Sequence, residues 1–205
     1  PNLIFVPEYL FKKNKIIEHQ KAMTARVKKL VQPAMKLSEW EKEKYVHDFI
    51  CENVYYDKLK KPYSHEIIGP LGQGVGVCEG IAKAVKVLMD ALGVWCVIAL
   101  CGNNPEKGIK YRHTWNIVKI EGEPYHIDLT WDVNRSFPNA ISHAYFCLSD
   151  ENAMKTHRWI VKEVPICVGE RNYYKENGLI AQNDFDTCRI IDNACSQGRL
   201  SVEIQ

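Results

Sequence analysis

Apolar positions along the chain recur at a helical period in some stretches and alternate or run together in others. Over residues 9–30, Ile16, Ile17, Met23, Val27 and Leu30, with Val31 beyond, recur at helical spacing without an internal Pro or Gly. That pattern predicts an amphipathic helix. Pro33 breaks it. Ser38-Glu39-Trp40-Glu41 then has the form of a capping box, with Ser38 as N-cap and Glu41 at the third helical position. The helix it opens is predicted to run to about Asn53, with Tyr45, Val46, Phe49 and Ile50 on its inner side and a short extended exit over 54–57. Residues 58–76 hold Pro62, Gly69, Pro70, Gly72, Gly74 and Gly76, which predicts loop.

A second helical stripe starts at Cys78. Ile81, Ala84, Val85, Leu88 and Leu92 share one face, Lys83, Lys86 and Asp90 lie away from it, and Gly93 ends it. Residues 94–100 read as a buried strand and 102–108 as a turn-rich loop. Two strands are predicted over 113–120 and 123–131, joined by Glu121-Gly122 as a two-residue hairpin turn. Residues 145–148 look like another strand, and Ser149 and Asp150 offer an N-cap to a short helix. Beyond Pro165 the pattern is irregular.

Composition narrows the class. The chain has 205 residues, 46% hydrophobic and 25% charged, which is ordinary globular composition for one domain or a domain with an appendage. The longest apolar run, 93–100, is far short of the ~20 residues that span a bilayer. A net charge of +2 gives no global push toward nucleic acid, and no nucleic-acid partner is expected. The charge is uneven, however: residues 1–36 carry +6 and the remainder −4. The basic helix reads either as an arm for an acidic partner or as the solvated face of a packing helix. No signal peptide is visible, which favours the cytoplasm, although the missing initiator Met points to a trimmed chain.

Eight cysteines and seven histidines stand out. No Cys-x-x-Cys occurs, so a zinc knuckle and a thioredoxin motif are both disfavoured, and zinc on Cys96, Cys101 and nearby histidines does not have the spacing. The expectation is mainly reduced cysteines and no metal or other cofactor. Gly72-x-Gly74-x-Gly76 lacks both the Walker ending and the dinucleotide spacing, so it is taken as a flexible loop.

The chemistry centres on Cys78. A thiol in the first turn of a helix faces exposed backbone N–H groups and the positive end of the helix dipole, which lowers its pKa. At 100° per residue Cys78 lies within about 80° of Ile81, Val85, Leu88 and Leu92, so it points along the packing face. If Glu121-Gly122 is the hairpin turn, Ile120 pairs with Glu123, His113 faces Thr130 and Trp115 faces Asp128. His113, Trp115, Asp128 and Thr130 then share one sheet face, and His113 and Asp128 are diagonal neighbours with α-carbons roughly 7–8 Å apart. A carboxylate that meets an imidazole fixes its tautomer and stabilises the imidazolium. Each residue alone also reads blandly: a buried Cys opening a core helix, a strand-end His, an Asp bonded to local backbone. The conjunction points to a nucleophile with its base and orienter.

Val77-Cys78-Glu79-Gly80-Ile81-Ala82, His113-Thr114-Trp115-Asn116 and His126-Ile127-Asp128-Leu129-Thr130-Trp131-Asp132 together resemble the three core motifs of the transglutaminase-like superfamily, most closely its compact bacterial members. The resemblance extends over about 38–159, where Tyr145-Phe146 and His157-Arg158-Trp159 also fit. Ile81 and Thr114 are mild departures from the usual pattern. The resemblance implies an α+β, papain-like core with a central helix on an antiparallel sheet, preceded by N-terminal helices. It also implies Cys78 as nucleophile, His113 as general base and acid, and Asp128 as orienter. The organisation it suggests is a basic helical segment over 1–37, a catalytic core over 38–169, and an extension over 170–205 packed on or continuing beyond the core. The chain is too short for the extra β-domains and calcium sites of animal transglutaminases, so no calcium dependence is carried over.

The implied reaction is acyl transfer on a peptide or protein amide through a thioester, most simply hydrolytic. A true transglutaminase passing the acyl group to an amine shares the same triad, and a binding module of the same fold without turnover is the third reading. The Cys78 backbone N–H is the expected oxyanion donor. Tyr56, His65 and Gln73 are candidates for a second donor. Trp115 and Trp131 either line the cleft or belong to the hairpin core.

Overall fold

The computed structural model describes residues 4, 6–102, 106, 112–158 and 164–205. In chain order its elements are α1 (Lys13–Val31), α2 (Glu39–Asn53), the two-residue strands β1 (Tyr55–Tyr56) and β2 (Val75–Gly76), α3 (Cys78–Ala91), β3 (Cys96–Cys101), β4 (His113–Ile120), β5 (Glu123–Ile127), α4 (Leu129–Arg135), the short α5 (Asp150–Ala153) and α6 (Tyr173–Glu176), and α7 (Asp184–Ser196). Most of the 102–108 loop and Trp159 lie outside the described residues.

The apolar stripe of α3 is the axis of this α+β fold. Ile81, Ala84, Val85, Leu88 and Met89 are buried against a three-stranded antiparallel sheet of order β3-β4-β5. The main core joins that stripe to Val46 and Ile50 of α2, Val118 and Ile120 of β4, and Val27 and Val31 of α1. The basic helix therefore packs through its C-terminal half and leaves its lysines in solvent. Strand β4 is buried on both faces, because Trp115 and Ile117 pack with Ala99 and Cys167 on the side away from α3. Asn116 pins the layers together: its Nδ2 donates to Ala82 O of α3 at 3.0 Å.

Several local expectations hold. Ser38 caps α2, accepting the Glu41 N–H while Glu41 reaches back to the Ser38 N–H at 2.9 Å. Val46 and Ile50 are buried as read, with Tyr45 and Phe49 packed partly against the core. The hairpin turns at Glu121 (φ 53°) and Gly122 (φ 91°), the two left-handed positions that a type I′ turn needs. The register pairs Ile120 with Glu123 and continues to Asn116 with Ile127.

Other expectations need correction. β5 ends at Ile127, four residues before the strand read from the sequence, because Asp128 caps α4 by accepting the Trp131 N–H at 3.1 Å. His113 therefore faces Cys101 of β3 and has no partner in β5, while Thr130 sits in a helix. Residues 145–148 do not form a strand. They make an isolated bridge, His126 to Leu148, and Cys147 at φ 53° turns the backbone out of the extended region. The inner side of α2 also buries Glu43 and His47, in addition to the apolar positions read from the sequence. The 170–205 stretch, irregular by pattern, contains α6 and α7.

The glycine-rich segment is tied down as well. Asp57 collects the N–H groups of Leu59 and Lys61 and the Ser64 hydroxyl, closing a 3₁₀ turn at Pro62–His65. A π-type turn follows at Gly69–Gln73, and β2 pairs in parallel with β1. This segment then seats the start of α3: Val77 N–H donates to Ser64 O at 3.1 Å. A Cβ on Gly80 would stand 2.1 Å from Ser64 O, so only glycine lets the two backbones meet. Gly80→Ala is expected to lower stability by about 1–3 kcal/mol through this overlap. Urea unfolding measures it, and an unchanged midpoint would show that the contact does not constrain the helix start.

Candidate active site

Cys78 is the first residue of α3 and is half-buried. Val77 provides no side-chain cap, so the first-turn N–H groups are left to polarise the thiol. Burial pushes the Cys78 thiol up. The hydrogen bond and charge of His113 and the backbone N–H groups of Thr114 and Glu79 outweigh it, and the net shift is downward. The buried Cys96 and Cys167 move the other way, up to about 12, because burial meets no comparable donor there. One thiol is thus set apart from the other buried ones by its surroundings.

His113 opens β4 and is 7% exposed. Its Nε2 lies 2.5 Å from Asp128 Oδ2, so the hydrogen bond to Cys78 falls to Nδ1. Burial lowers the imidazole's pKa, but the Asp128 and Cys78 bonds and charges raise it to about 9. Asp128 is itself 2% exposed. Burial raises its carboxyl, and the His113 and His157 hydrogen bonds bring it below the ordinary value.

The three sequence-selected residues meet, but by another route than a hairpin diagonal. Asp128 leaves the sheet, turns into the N-cap of α4, and presents Oδ2 to His113 while Oδ1 holds the Trp131 N–H. A fourth residue joins them. His157 Nε2 is 2.7 Å from the same Asp128 Oδ2, and its Nδ1 is 2.9 Å from Thr156 Oγ1. His157 follows α5, far along the chain from the hairpin, and its sequence signal was only its place in a His-Arg-Trp triplet.

The candidate lining residues separate. Tyr56 in β1 lies near enough to Cys78 for the thiolate charge to act on it; burial first, then that charge, raises its phenol. His65 turns to Glu79, Nδ1 to Oε2 at 3.0 Å. Gln73 is exposed at the end of the π-type turn. Trp131 is half-buried, its ring 6.2 Å from that of His113. Trp115 is core: it is 2% exposed, donates to His126 Nδ1 at 3.0 Å, and has no surface left for a cleft.

Among the described residues three clusters bring ligating atoms within 4.8 Å of one another: His47, Asp48 and His143; His113, Asp128 and His157; His126, Asp150 and Cys167. None includes Cys96 or Cys101. Each holds its histidines in short contacts with carboxylates. His126 accepts from Trp115 at Nδ1, so its proton sits on Nε2 facing Asp150 at 2.8 Å. His47 has carboxylates at both nitrogens, Asp48 and Asp132, each at 3.1 Å. A cavity of about 880 Å³ lies elsewhere, between α2, α4 and the C-terminal segment, with Asp48, His143 and Glu203 on its wall.

The chain matches the family described as the transglutaminase-like superfamily over residues 24–129, just over half its length and inclusive of Cys78, His113 and Asp128. No curated protein matches. Among solved structures it is similar to a candidate cysteine protease from Cytophaga hutchinsonii (20% identity, 43% of this chain and 30% of that one, TM-score 0.36). It is also similar to a TGase (14% identity, 97% and 56%, TM-score 0.48) and to a candidate protease from Parabacteroides distasonis (14% identity, 57% and 28%, TM-score 0.40). The chain spans less than two thirds of each of these proteins.

The opposed shifts define a pH window. With Cys78 lowered and His113 raised to about 9, the thiolate–imidazolium pair is present from below the ordinary thiol range up to about pH 9. At near-neutral pH, iodoacetamide is expected to alkylate Cys78 faster than the more exposed Cys188 and Cys195. With negatively charged iodoacetate, which the imidazolium attracts, the rate should fall as pH rises through about 9. Equal rates at the three thiols, measured by peptide mass spectrometry, would sink the activated thiolate.

Proposed function

The chain belongs to the transglutaminase-like superfamily, a cysteine-based catalytic family, and we propose that it is an enzyme of the cysteine protease-like kind acting on peptide or protein amides through a thioester. The observation that carries this reading is the relay of Cys78, His113 and Asp128: a half-buried thiol of lowered pKa bonded to an imidazole whose other nitrogen rests on a buried carboxylate.

In the proposed mechanism the Cys78 thiolate attacks the amide carbonyl and a C–S bond forms. The carbonyl π pair moves to oxygen. The His113 imidazolium then gives its proton to the amide nitrogen, the oxyanion pair re-forms the C=O bond, the C–N bond breaks, and the amine leaves with that proton and the C–N pair, giving the thioester. Asp128 keeps the imidazole oriented throughout. A water molecule, deprotonated by the now neutral His113, attacks the thioester and releases the acid with the thiolate–imidazolium pair restored. The oxyanion would be met by the Cys78 backbone N–H at the start of α3 and by a second donor. Of Tyr56, His65 and Gln73, the surroundings favour Tyr56: its raised phenol keeps its proton and it is within reach of the Cys78 charge, whereas His65 is tied to Glu79. We assign the catalytic unit to 38–169, with 1–37 and 170–205 as flanking segments. No helix of the described residues is long and apolar enough to cross a membrane.

Two measurements test the proposal. Incubation with a peptide library, with and without a primary amine and read by mass spectrometry, is expected to give cleavage or deamidation that disappears in Cys78→Ala. Dominant amine incorporation would make the enzyme a transferase, and absence of any product would leave a binding module. Tyr56→Phe is expected to cut kcat about 10²-fold, the usual scale for one oxyanion donor; activity within a factor of two or so of wild type would remove Tyr56 from that role.

A further inference from the structure

Asp128 Oδ2 accepts from two imidazoles at once, His113 Nε2 at 2.5 Å and His157 Nε2 at 2.7 Å. The carboxylate is 2% exposed and His157 5%, so neither relies on water. An anionic Asp128 requires a proton on each facing nitrogen, so His157 Nε2 is a donor whether its ring is neutral or charged. The ring is fixed on its other edge by Thr156 Oγ1 and held between aromatics: Trp115 with centroids at 5.1 Å, Trp131 at 4.9 Å and Tyr145 at 5.5 Å. Such packing leaves one orientation, with Nε2 on the carboxylate. We propose that His157 is a positioning residue of the site: its Nε2–H holds Asp128 in place and draws off part of the negative charge that Asp128 presents to His113.

The inference rests on the acyl-transfer reading of Cys78, His113 and Asp128. Its chemical sense lies in the proton that His113 must give up. An imidazolium paired with an unshared buried carboxylate is over-stabilised and gives its proton poorly to a leaving amine. A second N–H on the same oxygen makes that carboxylate a weaker partner, and His113 a better acid, without loss of orientation. Removal of His157 therefore moves the His113 titration upward, and this sign is the same for a neutral or a charged His157. The other groups around the pair are Cys78 from α3, Tyr56 from β1, and His126 from β5, which is paired with Asp150 from α5. All of them stay in place in the variants below.

The test is the alkaline limb of Cys78 alkylation by iodoacetate in the full chain, followed by peptide mass spectrometry. In His157→Phe the limb is expected to rise by about one pH unit, the scale of one hydrogen bond to a charged group. His157→Gln, whose amide can present a donor from the same side, should return most of that shift. Thr156→Val, which removes the Nδ1 partner along with a long Oγ1 contact to Ala153 O at 3.5 Å, should give a smaller rise in the same direction, and it decides the matter if the Phe variant does not fold. Limbs that coincide with wild type in the folded variants overturn the proposal, as does an equal loss of labelling and of thermal stability in Phe and Gln variants. Failure of the underlying reading looks different: wild-type Cys78 would itself show no alkaline limb and the profile of an ordinary thiol.

Discussion

A carboxylate taken out of water must find its hydrogen bonds inside the protein or lose its charge, and Asp128 is the carboxylate on which this molecule turns. At 2% exposure it is served on Oδ1 by the Trp131 N–H and on Oδ2 by His113 and His157. The backbone obeys the same demand. The chain leaves the β-ladder at Asp128, whose side chain accepts the first-turn N–H of Trp131 on one oxygen while the other faces His113 at the start of β4. Its own N–H goes to Tyr145 O at 3.1 Å, which draws the 145–148 segment alongside. Cap, sheet edge and imidazole cluster are thus three consequences of one buried charge.

A second buried carboxylate holds the first in register. Asp132, one turn along α4, accepts the Ser142 hydroxyl at 2.8 Å, the Tyr145 N–H at 3.0 Å and His47 Nε2 of α2 at 3.1 Å. Burial raises its carboxyl despite these bonds, and burial likewise pushes Glu43 beneath it well above the usual carboxylate range. α2 is therefore joined to α4 by polar bonds as well as by Val46 and Ile50. The network extends to His143, which stacks on His47 and on Tyr173, and whose backbone N–H meets Glu203 at 2.9 Å. Through Tyr173 and Glu203 the C-terminal segment is thereby tied to the polar network between α2 and α4.

Much of this was readable along the chain, and what was not readable fails for identifiable reasons. The stripe from Ile81 to Leu88, the capping box at Ser38 and the Glu121-Gly122 turn are local patterns, and each stands where it was read. The hairpin register was correct up to Ile127 and wrong beyond it, because the alternation of polar and apolar residues continues through 128–131 with no break. An Asp that can cap a helix looks, in a linear pattern, like a polar position of a strand. The burial of Glu43 and His47 is not legible within α2, because burial of polar groups depends on partners such as Asp132 of α4, which no pattern within α2 reveals.

The sequence by itself singled out Cys78, His113 and Asp128 as the proposed nucleophile, base and orienter, since a thiol opening a helix, a His at a strand start and an Asp just past the hairpin are local features whose conjunction points to one chemistry. Only the tertiary structure decided how they meet. It brought Asp128 to His113 through a helix cap instead of a strand diagonal, sent Trp115 into the core, and delivered His157 from beyond α5 to the same carboxylate oxygen. The reason is physical: secondary structure follows from neighbours within a few residues, whereas the partners of a buried charge come from wherever packing brings a donor atom within about 3 Å.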